Sequence, residues 1–181
     1  MDAAALVAHL QGALPDARFE AVPSIDRHVT VYAAPETLHA TLLALRDRPE
    51  LRFAFLAELT AADFLPREPR FELIYVLVSI EHQLRLRLKV RLPAHDPHVA
   101  TCSDIWPAAN WLEREVWDLF GIAFDGHPDP RRLLMPEDWQ GYPLRKDAPV
   151  QIHMKPNAAS ATQVTEEEFR ANVMKDRLAR S

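Results

Sequence analysis

Residues 111–149 read WLEREVWDLFGIAFDGHPDPRRLLMPEDWQGYPLRKDAP, and the interpretation of the rest of the chain depends on this stretch. It begins with the periodicity of a helix and passes, after Gly121, into an extended segment interrupted by prolines. Charged and aromatic residues are frequent in it, yet it contains no recognisable nucleophile–base pair, phosphate-binding loop or metal cage. The stretch therefore predicts a surface that other proteins hold, presented by a compact α+β domain that precedes it.

The helical part is predicted to run from Ser103 or Asp104, either of which can cap it, to about Phe120. Pro107 suits its first turn, and Gly121 follows its end, where a glycine readily adopts the left-handed conformation. At roughly 100° per residue, the apolar side chains fall on one face, which we expect to pack on a sheet. They are Ile105, Ala108, Ala109, Leu112, Val116, Leu119 and Phe120.

Several charged residues border this apolar face. Glu113 and Glu115 lie at its two margins, where carboxylates are costly unless they are paired. Arg114 points away and can pair with Asp118, one turn further on, for on the order of a few tenths of a kcal/mol. One interpretation is that both glutamates clamp the following segment or a partner through arginines. Two alternatives stay open: ordinary solvated charges, or a general acid/base pair, which fits poorly because residues two apart on a helix do not face each other. The cations that follow are Arg131, Arg132, Arg145 and Lys146.

His127 lies between Asp125 and Asp129, which suggests a metal site. However, the neighbouring Gly126 and Pro128 indicate a turn, and no nearby residue adds the nitrogen or sulfur ligand that a transition metal favours. A turn histidine that is hydrogen-bonded to the backbone is the preferred prediction.

The chain before this helix predicts an α+β fold with a mixed, largely antiparallel sheet and packed helices. In residues 84–92, leucine and valine alternate with arginine and lysine, which is typical of a strand with one buried and one basic face. Residues 71–81 are apolar nearly throughout and predict a central strand covered on both faces. The short link through His82 and Gln83 favours an antiparallel hairpin. Further helices are predicted at residues 2–14 and 35–48, and further strands at residues 19–22, 28–33 and 53–59.

Composition limits the function. The 181 residues, 48% of them hydrophobic, suffice for one domain with a core and an appendage, and a net charge of -5 argues against nucleic acid as the partner. The one cysteine, Cys102, excludes an intramolecular disulfide or a four-cysteine metal or cluster site built by this chain alone, and we expect it to be an inert buried thiol. The longest apolar run, residues 73–80, is far shorter than the roughly 20 residues of a membrane helix. The N-terminus lacks the basic region of a signal peptide. We therefore expect a cytoplasmic protein with no membrane span of its own, free or docked on a membrane assembly.

The chain has 15 prolines and only 4 glycines, and the prolines are concentrated between Pro128 and Pro156. We therefore divide it into an α+β domain (residues 1–121), an extended partner-docking tail (122–156), and a linker with a short terminal helix (157–181). The run Thr165-Glu166-Glu167-Glu168 has the spacing of a capping box, which predicts the start of that helix.

Six motifs occur in fixed order within the decisive stretch. They are Glu113-Arg114-Glu115, Asp118-Leu119-Phe120-Gly121, Gly126-His127-Pro128-Asp129, Arg131-Arg132-Leu133-Leu134, Pro136-Glu137-Asp138-Trp139 and Pro143-Leu144-Arg145-Lys146-Asp147. In order and spacing they resemble the signature of the thirty-kilodalton subunit, or C subunit, of the proton-translocating NADH:quinone oxidoreductase, respiratory complex I. The residues before them are similar to that family only in general layout.

The resemblance implies a non-catalytic core subunit of the hydrophilic arm, which supports electron transfer from NADH to quinone coupled to proton translocation. It implies that FMN, iron–sulfur clusters and quinone are held by neighbouring subunits and none by this chain. The chief partners would be the quinone-cavity subunit and the adjacent iron–sulfur subunits, on the cytoplasmic side of the inner (plasma) membrane. The residues expected at the partner interface are Glu113, Arg114, Glu115, Asp118, His127, Arg131, Arg132, Trp139, Tyr142, Arg145, Lys146 and Asp147, with Trp139 and Tyr142 as apolar anchors.

Two other functions stay open at this stage. One is the equivalent subunit of a membrane-bound hydrogenase or formate hydrogenlyase. The other is a stand-alone hydrolase, which would need a pocket that joins Glu113 or Glu115 to His127.

Overall fold

The structure is a computed structural model, and it describes residues 3–23, 26 and 28–148. Its helices are α1 (Ala3–Ala13), α2 (Leu38–Asp47, preceded by the 3-10 turn Pro35–Thr37) and α3 (Ala109–Phe120). Its strands are β1 (Phe19–Val22), β2 (Val29–Ala33), β3 (Phe55–Asp63), β4 (Phe71–Ser79), β5 (Leu84–Leu92), β6 (His98–Ala100) and β7 (Ala123–Asp125).

Strands β1 to β5 form one mixed sheet in the order β1-β2-β5-β4-β3. All neighbours are antiparallel except β2 and β5, which are parallel. The predicted hairpin is confirmed: β4 and β5 pair from Phe71 opposite Leu92 to Ser79 opposite Leu84. Strands β6 and β7 form a separate parallel pair that lies on either side of α3 in the sequence. The α+β prediction is therefore confirmed.

The core lies between one face of this sheet and the helices. The inward side chains of β4 and β5 join the buried residues of all three helices in a single cluster, so α1, α2 and α3 cover the same face. Members of the cluster include Leu6, Leu10, Val31, Leu42, Leu45, Leu73, Tyr75, Leu77, Leu86, Leu88, Val90, Ala109, Val116 and Phe120.

The prediction that the central strand is covered on both faces is wrong for the described part of the chain. Along β4, buried and half-buried residues alternate strictly, so one face is core and the other is only partly covered. Leu73 is fully buried, whereas Ile74 beside it is half-buried. Strand β3 also differs from the prediction, because it extends to Asp63, opposite Phe71, through alanines whose low strand propensity hides the pattern.

Helix α3 begins later than the sequence predicts. Ser103 and Asp104 lie in a turn before it, the N-cap is Ala108, and no side chain caps it. Ala108 is exposed rather than part of the core face. A physical reason is Pro107, which disfavours the helical conformation of the residue before it. That residue, Trp106, is buried, and its indole N–H donates to the carbonyl of Ala54.

The predicted domain boundary after Gly121 does not coincide with the end of a compact unit, which extends to Ala148. The segment that follows α3 is attached to the domain by the contacts described below, so it belongs to the same unit. The predicted linker and terminal helix lie outside the described residues, as do residues 149–156.

Candidate partner interface

Helix α3 ends at a left-handed Gly121, with φ 71°, and β7 follows it. The first residues of the predicted tail segment form β7, so from here on the tail means residues 126–148, the rest of its described part. The tail contains no helix or strand, so its shape depends on hydrogen bonds from side chains, and many of these involve α3.

Asp118 accepts four hydrogen bonds from the tail. Its side chain is completely buried, and Oδ2 accepts the backbone N–H groups of Leu133, Leu134 and Met135 at 3.0, 2.7 and 2.8 Å. Its Oδ1 accepts Nη1 of Arg132 at 2.6 Å. Burial alone would raise the pKa of Asp118, but these hydrogen bonds outweigh burial and hold the pKa below its ordinary value. The carboxylate is therefore charged at neutral pH and fixes the tail by its main chain.

Arg114 and Arg132 bind main-chain carbonyls in the tail. Arg114 donates from Nε to the carbonyl of Arg131 and from Nη2 to that of Arg132, both at 3.0 Å. Arg132 in turn donates to the carbonyl of Trp139 at 3.0 Å. The predicted pair between Arg114 and Asp118 is wrong: Arg114 is nearly buried under the tail, and Asp118 pairs with Arg132 instead.

Arg131 differs from its neighbour because its side chain is 78% exposed. It pairs with Asp129 through two short contacts of 2.6 and 2.7 Å. The guanidinium of Arg131 holds the pKa of Asp129 below its ordinary value. Asp129 is half-buried and also lies 3.4 Å from Nη1 of Arg114, so Arg131 is the exposed member of this cluster.

Neither glutamate clamps the tail through an arginine, so that part of the prediction is wrong, while a clamp on a partner stays a prediction. Glu113 is completely buried and accepts the N–H of Cys102 at 2.7 Å and the hydroxyl of Thr101 at 2.5 Å. It therefore holds the loop before α3, and its burial raises its pKa. Glu115 is half-exposed and makes no ion pair with a described residue. Cys102 is buried, and burial raises the pKa of its thiol, so it remains protonated.

His127 has the role that the sequence predicts. Its Nδ1 accepts the N–H of Asp129 at 3.0 Å, so its Nε2 carries the hydrogen, which it donates to the carbonyl of Asn110 at 3.0 Å. Nε2 lies 3.9 Å from a carboxylate oxygen of Glu113, beside a cavity of about 100 Å³ lined also by Trp117 and Phe124. Both ring nitrogens are thus engaged with the backbone, so neither is free to bind a metal ion.

The end of the tail closes the C-terminus of α3. Arg145 donates from Nε to the carbonyl of Phe120 and from Nη2 to that of Gly121, and the N–H of Leu144 donates to the carbonyl of Leu119. These carbonyls have no partner within the helix, and a cation near them is favoured by the helix dipole.

Gly121 permits a close approach of the tail at this point. A Cβ atom at position 121 would overlap the ring of Tyr142 and would lie 2.6 Å from the guanidinium of Arg145. Tyr142 therefore packs its ring directly over the helix end, with the Arg145 guanidinium 4.5 Å from the ring centroid.

A second attachment joins the tail to the sheet. Arg70 binds Asp63 through Nε and Nη2 at 3.0 and 2.7 Å, and it binds Asp147 through Nη1 and Nη2 at 3.0 and 2.7 Å. The N–H of Lys146 adds a bond to Asp63 at 2.9 Å, while the Lys146 residue itself is exposed. The Arg70 guanidinium holds the pKa of Asp63 and of Asp147 below their ordinary values. Sequence reasoning missed Arg70 and Asp63, because they lie 77 and 84 residues from Asp147 in the chain and follow no local pattern.

This geometry can be set beside known proteins. Residues 31–153 match the family described as respiratory-chain NADH dehydrogenase, 30 Kd subunit. The chain belongs to this family. It is 47% identical over 150 residues to the NADH-quinone oxidoreductase C subunit of Roseiflexus sp. (strain RS-1), and the match covers 83% of this chain and 86% of that protein. It is 44% identical over 123 residues to the protein of the same name from Citrifermentans bemidjiense, covering 68% and 75%.

Solved structures of related proteins agree with the fold. The chain resembles a trypsin-resistant fragment of Nqo5 with a TM-score of 0.58 and 31% identity, over 71% of this chain and 99% of the fragment. It also resembles a chain of the membrane-bound sulfane sulfur reductase, an archaeal respiratory membrane complex, with a TM-score of 0.64 and 25% identity, over 90% and 95% of the two chains.

In this family member the tail presents an apolar surface outward. Trp139 and Tyr142 are half-buried, whereas Leu134 and Leu144 are 60% and 52% exposed. The N–H of Leu134 donates to the side chain of Asp118, and the N–H of Leu144 donates to the carbonyl of Leu119. Trp111, on α3 itself, is 59% exposed. The exposed apolar residues are therefore not the two aromatic residues that the sequence singled out.

Two further observations concern chemistry and membranes. Within residues 3–23, 26 and 28–148, no group of three or more His, Cys, Asp or Glu side chains is arranged to hold a metal ion. In the same residues no helix has the length and hydropathy needed to cross a bilayer.

Proposed function

We propose that this chain is a non-catalytic core subunit of the hydrophilic arm of NADH:quinone oxidoreductase. The relatives that carry this name and the family match support the assignment. The non-catalytic role is supported by what the charged side chains of this region bind. Asp118, Arg114, Arg132 and Arg145 all bind the chain's own main chain, so the constellation fixes the shape of a surface.

In this role the chain holds no redox group. FMN, the iron–sulfur clusters and quinone lie on neighbouring subunits, chiefly the quinone-cavity subunit and the adjacent iron–sulfur subunits. The tail contributes its exposed leucines, the Arg131–Asp129 pair and the outer edges of Trp139 and Tyr142 to those contacts. The complex keeps the chain peripheral, on the cytoplasmic side of the inner membrane.

A related assembly is the alternative. Similarity to the membrane-bound sulfane sulfur reductase supports the broader class of respiratory membrane complexes. The relatives named for NADH-quinone oxidoreductase are more similar, at 47% identity against 25%, and we therefore propose the NADH-linked complex. The stand-alone hydrolase is not proposed, since His127 donates and accepts only main-chain hydrogen bonds.

The test is complementation in a host that lacks its own copy of the subunit. We expect the wild-type chain to co-purify with the complex and to restore quinone-linked oxidation of NADH by membranes. Leu134→Asp and Arg131→Glu should weaken assembly and lower that activity, while the isolated variants melt close to the wild-type temperature because both side chains are exposed.

Arg67→Glu is the matched control for the charge reversal, since Arg67 is an exposed arginine on the loop before β4. It should assemble normally. A wild-type chain that does not join the complex contradicts the proposed function. Full assembly of both tail variants contradicts the role of the tail.

A further inference from the structure

The outward face of β4 is apolar without a described element to cover it. Ile74, Val76 and Val78 alternate with the core residues of the strand and are half-buried. None of the three belongs to the core cluster or packs against it. A strand that is apolar on both faces is typical of a sheet with a layer on each side. The described residues provide a layer on one side only.

The apolar stripe becomes more exposed toward one end of the sheet. Ile80, two residues after Val78, is 73% exposed. Phe55, which lies opposite Val78 in the register of β3 and β4, is 52% exposed. Apolar side chains with these exposures, adjoining an apolar stripe, are a feature of binding surfaces. We call the five residues Phe55, Ile74, Val76, Val78 and Ile80 the outer stripe.

Basic residues flank the outer stripe along β5. Lys89, Arg87 and Arg85 stand opposite Ile74, Val76 and Val78. Lys89 and Arg87 are neutralised within the chain by Glu72 at 2.9 Å and Asp26 at 2.7 Å. Arg85 is exposed and forms no ion pair with a described residue. Its charge is therefore available beside the most exposed part of the stripe.

On the β3 side, the residues that flank the outer stripe are acidic or neutral instead of basic. Glu58 and Thr60 of β3 stand opposite Val76 and Ile74, and both are exposed. An occupant that matches this surface has an apolar ridge and a carboxylate on the side that faces β5. Helices α1 to α3 cover the other face of the same sheet, and an amphipathic helix suits this face for the same geometric reason.

We propose that the outer stripe binds an amphipathic helix of a neighbouring subunit, whose acidic margin meets Arg85. This inference rests on the proposed function only in that the chain works inside an assembly. The helix would complete a three-layer arrangement with the sheet in the middle. The tail is bonded to the sheet at Asp63 and Arg70, where β3 ends and β4 begins, whereas Phe55 and Ile80 lie at the opposite ends of these two strands.

The first experiment uses the full-length chain in the complementation host. The double variant Phe55→Ser/Ile80→Asp should fold like wild type when purified alone, since both side chains are exposed. It should lower the amount of subunit in the purified complex about tenfold or more, because the aspartate would be buried without a partner. The control is Leu43→Asp on α2, an apolar residue that is 37% exposed on the opposite layer, and it should assemble normally.

The second experiment tests the chemistry of the partner. Arg85→Lys allows a carbodiimide to join the new amine directly to a carboxylate in contact with it. We expect a cross-link from residue 85 to an Asp or Glu in a helix of another subunit, and none from the matched control Arg67→Lys.

The outcomes separate the two proposals. If wild type assembles and the Phe55→Ser/Ile80→Asp variant assembles equally well, the outer stripe is not an interface, although the proposed function stands. If wild type itself does not assemble, the proposed function fails. A dimer of the isolated chain in sedimentation that Ile80→Asp dissociates would assign the stripe to a second copy. A cross-link from residue 85 to this chain's own residues would assign it to the chain itself. Either result overturns the partner helix.

Discussion

Replacing Asp118 with asparagine tests how the tail is held. The substitution keeps the shape of the side chain but removes its charge and one acceptor. If the new amide nitrogen takes the place of Oδ2, it meets three backbone N–H donors. If it takes the place of Oδ1, it meets the guanidinium of Arg132. We expect the second orientation, because it loses one hydrogen bond rather than three.

The magnitude follows from the bond that is lost. A hydrogen bond to a charged group contributes about 1.5–3 kcal/mol, and breaking a buried ion pair costs about 3–5 kcal/mol. The Arg132 side chain is 16% exposed and keeps its bond to the carbonyl of Trp139, so the cost lies toward the lower end, at about 2–3 kcal/mol. At about 1.4 kcal/mol per factor of ten, the tail would open roughly 30 to 150 times more often.

Amide hydrogen exchange measures this opening directly. The N–H groups of Leu133, Leu134 and Met135 donate to Asp118, so their protection should fall by the same factor in Asp118→Asn. The control is Glu115→Gln on the same helix, which forms no ion pair with a described residue and should leave these amides unchanged. Unaltered protection at residues 133–135 in Asp118→Asn would refute the reasoning.

Three further predictions concern other contacts. Gly121→Ala and Gly141→Ala both place alanine at a positive φ, which costs about 1–2 kcal/mol. Only a Cβ at position 121 meets the ring of Tyr142, so urea unfolding should show a larger loss of unfolding free energy for Gly121→Ala than for Gly141→Ala. Equal losses would mean that the ring moves aside. Asp147→Asn should cost about 1 kcal/mol or less, since that side chain is 52% exposed, and a larger loss of unfolding free energy would contradict this. Burial raises the pKa of Glu113, so the folded state binds the proton of this carboxyl more tightly than the unfolded state does. The contribution of Glu113 to the unfolding free energy is therefore complete below the unfolded pKa of about 4.3 and falls as pH rises from there through the folded pKa. Accordingly, the unfolding free energy of wild type minus that of Glu113→Gln should decrease across that window, and a constant difference would contradict it.

The elements with strong local signals were predictable from the sequence. The hairpin of β4 and β5 follows from alternation that extends over the whole of each strand, and the end of α3 follows from Gly121. The start of α3 was not predictable from capping residues alone, because Pro107 limits the helix while Trp106 is held in the core. A local signal fails where tertiary contacts are stronger than it.

The pairing of the charged residues was also not predictable from local sequence, because tertiary contacts decide it. A pair four residues apart on a helix, such as Arg114 and Asp118, is worth on the order of a few tenths of a kcal/mol. Three backbone N–H groups and a second arginine offer Asp118 far more, and the tail carbonyls offer Arg114 equivalent partners. Arg114, Asp118 and Arg132 are therefore brought together with the tail, but with pairings other than the predicted one. Arg70 lay outside the prediction because its partners are distant in sequence.

The Oδ2 atom of Asp118 recognises peptide groups and not side chains, and this determines which substitutions the loop tolerates. Any residue except proline supplies the N–H that residues 133–135 donate, so their side chains can be exchanged without altering the loop. The backbone of residues 133–135 thus attaches the loop, while their side chains determine the surface that a partner meets. We expect any residue except proline at positions 133–135 to leave these three bonds in place, whatever surface it presents to a partner, whereas position 118 must stay acidic.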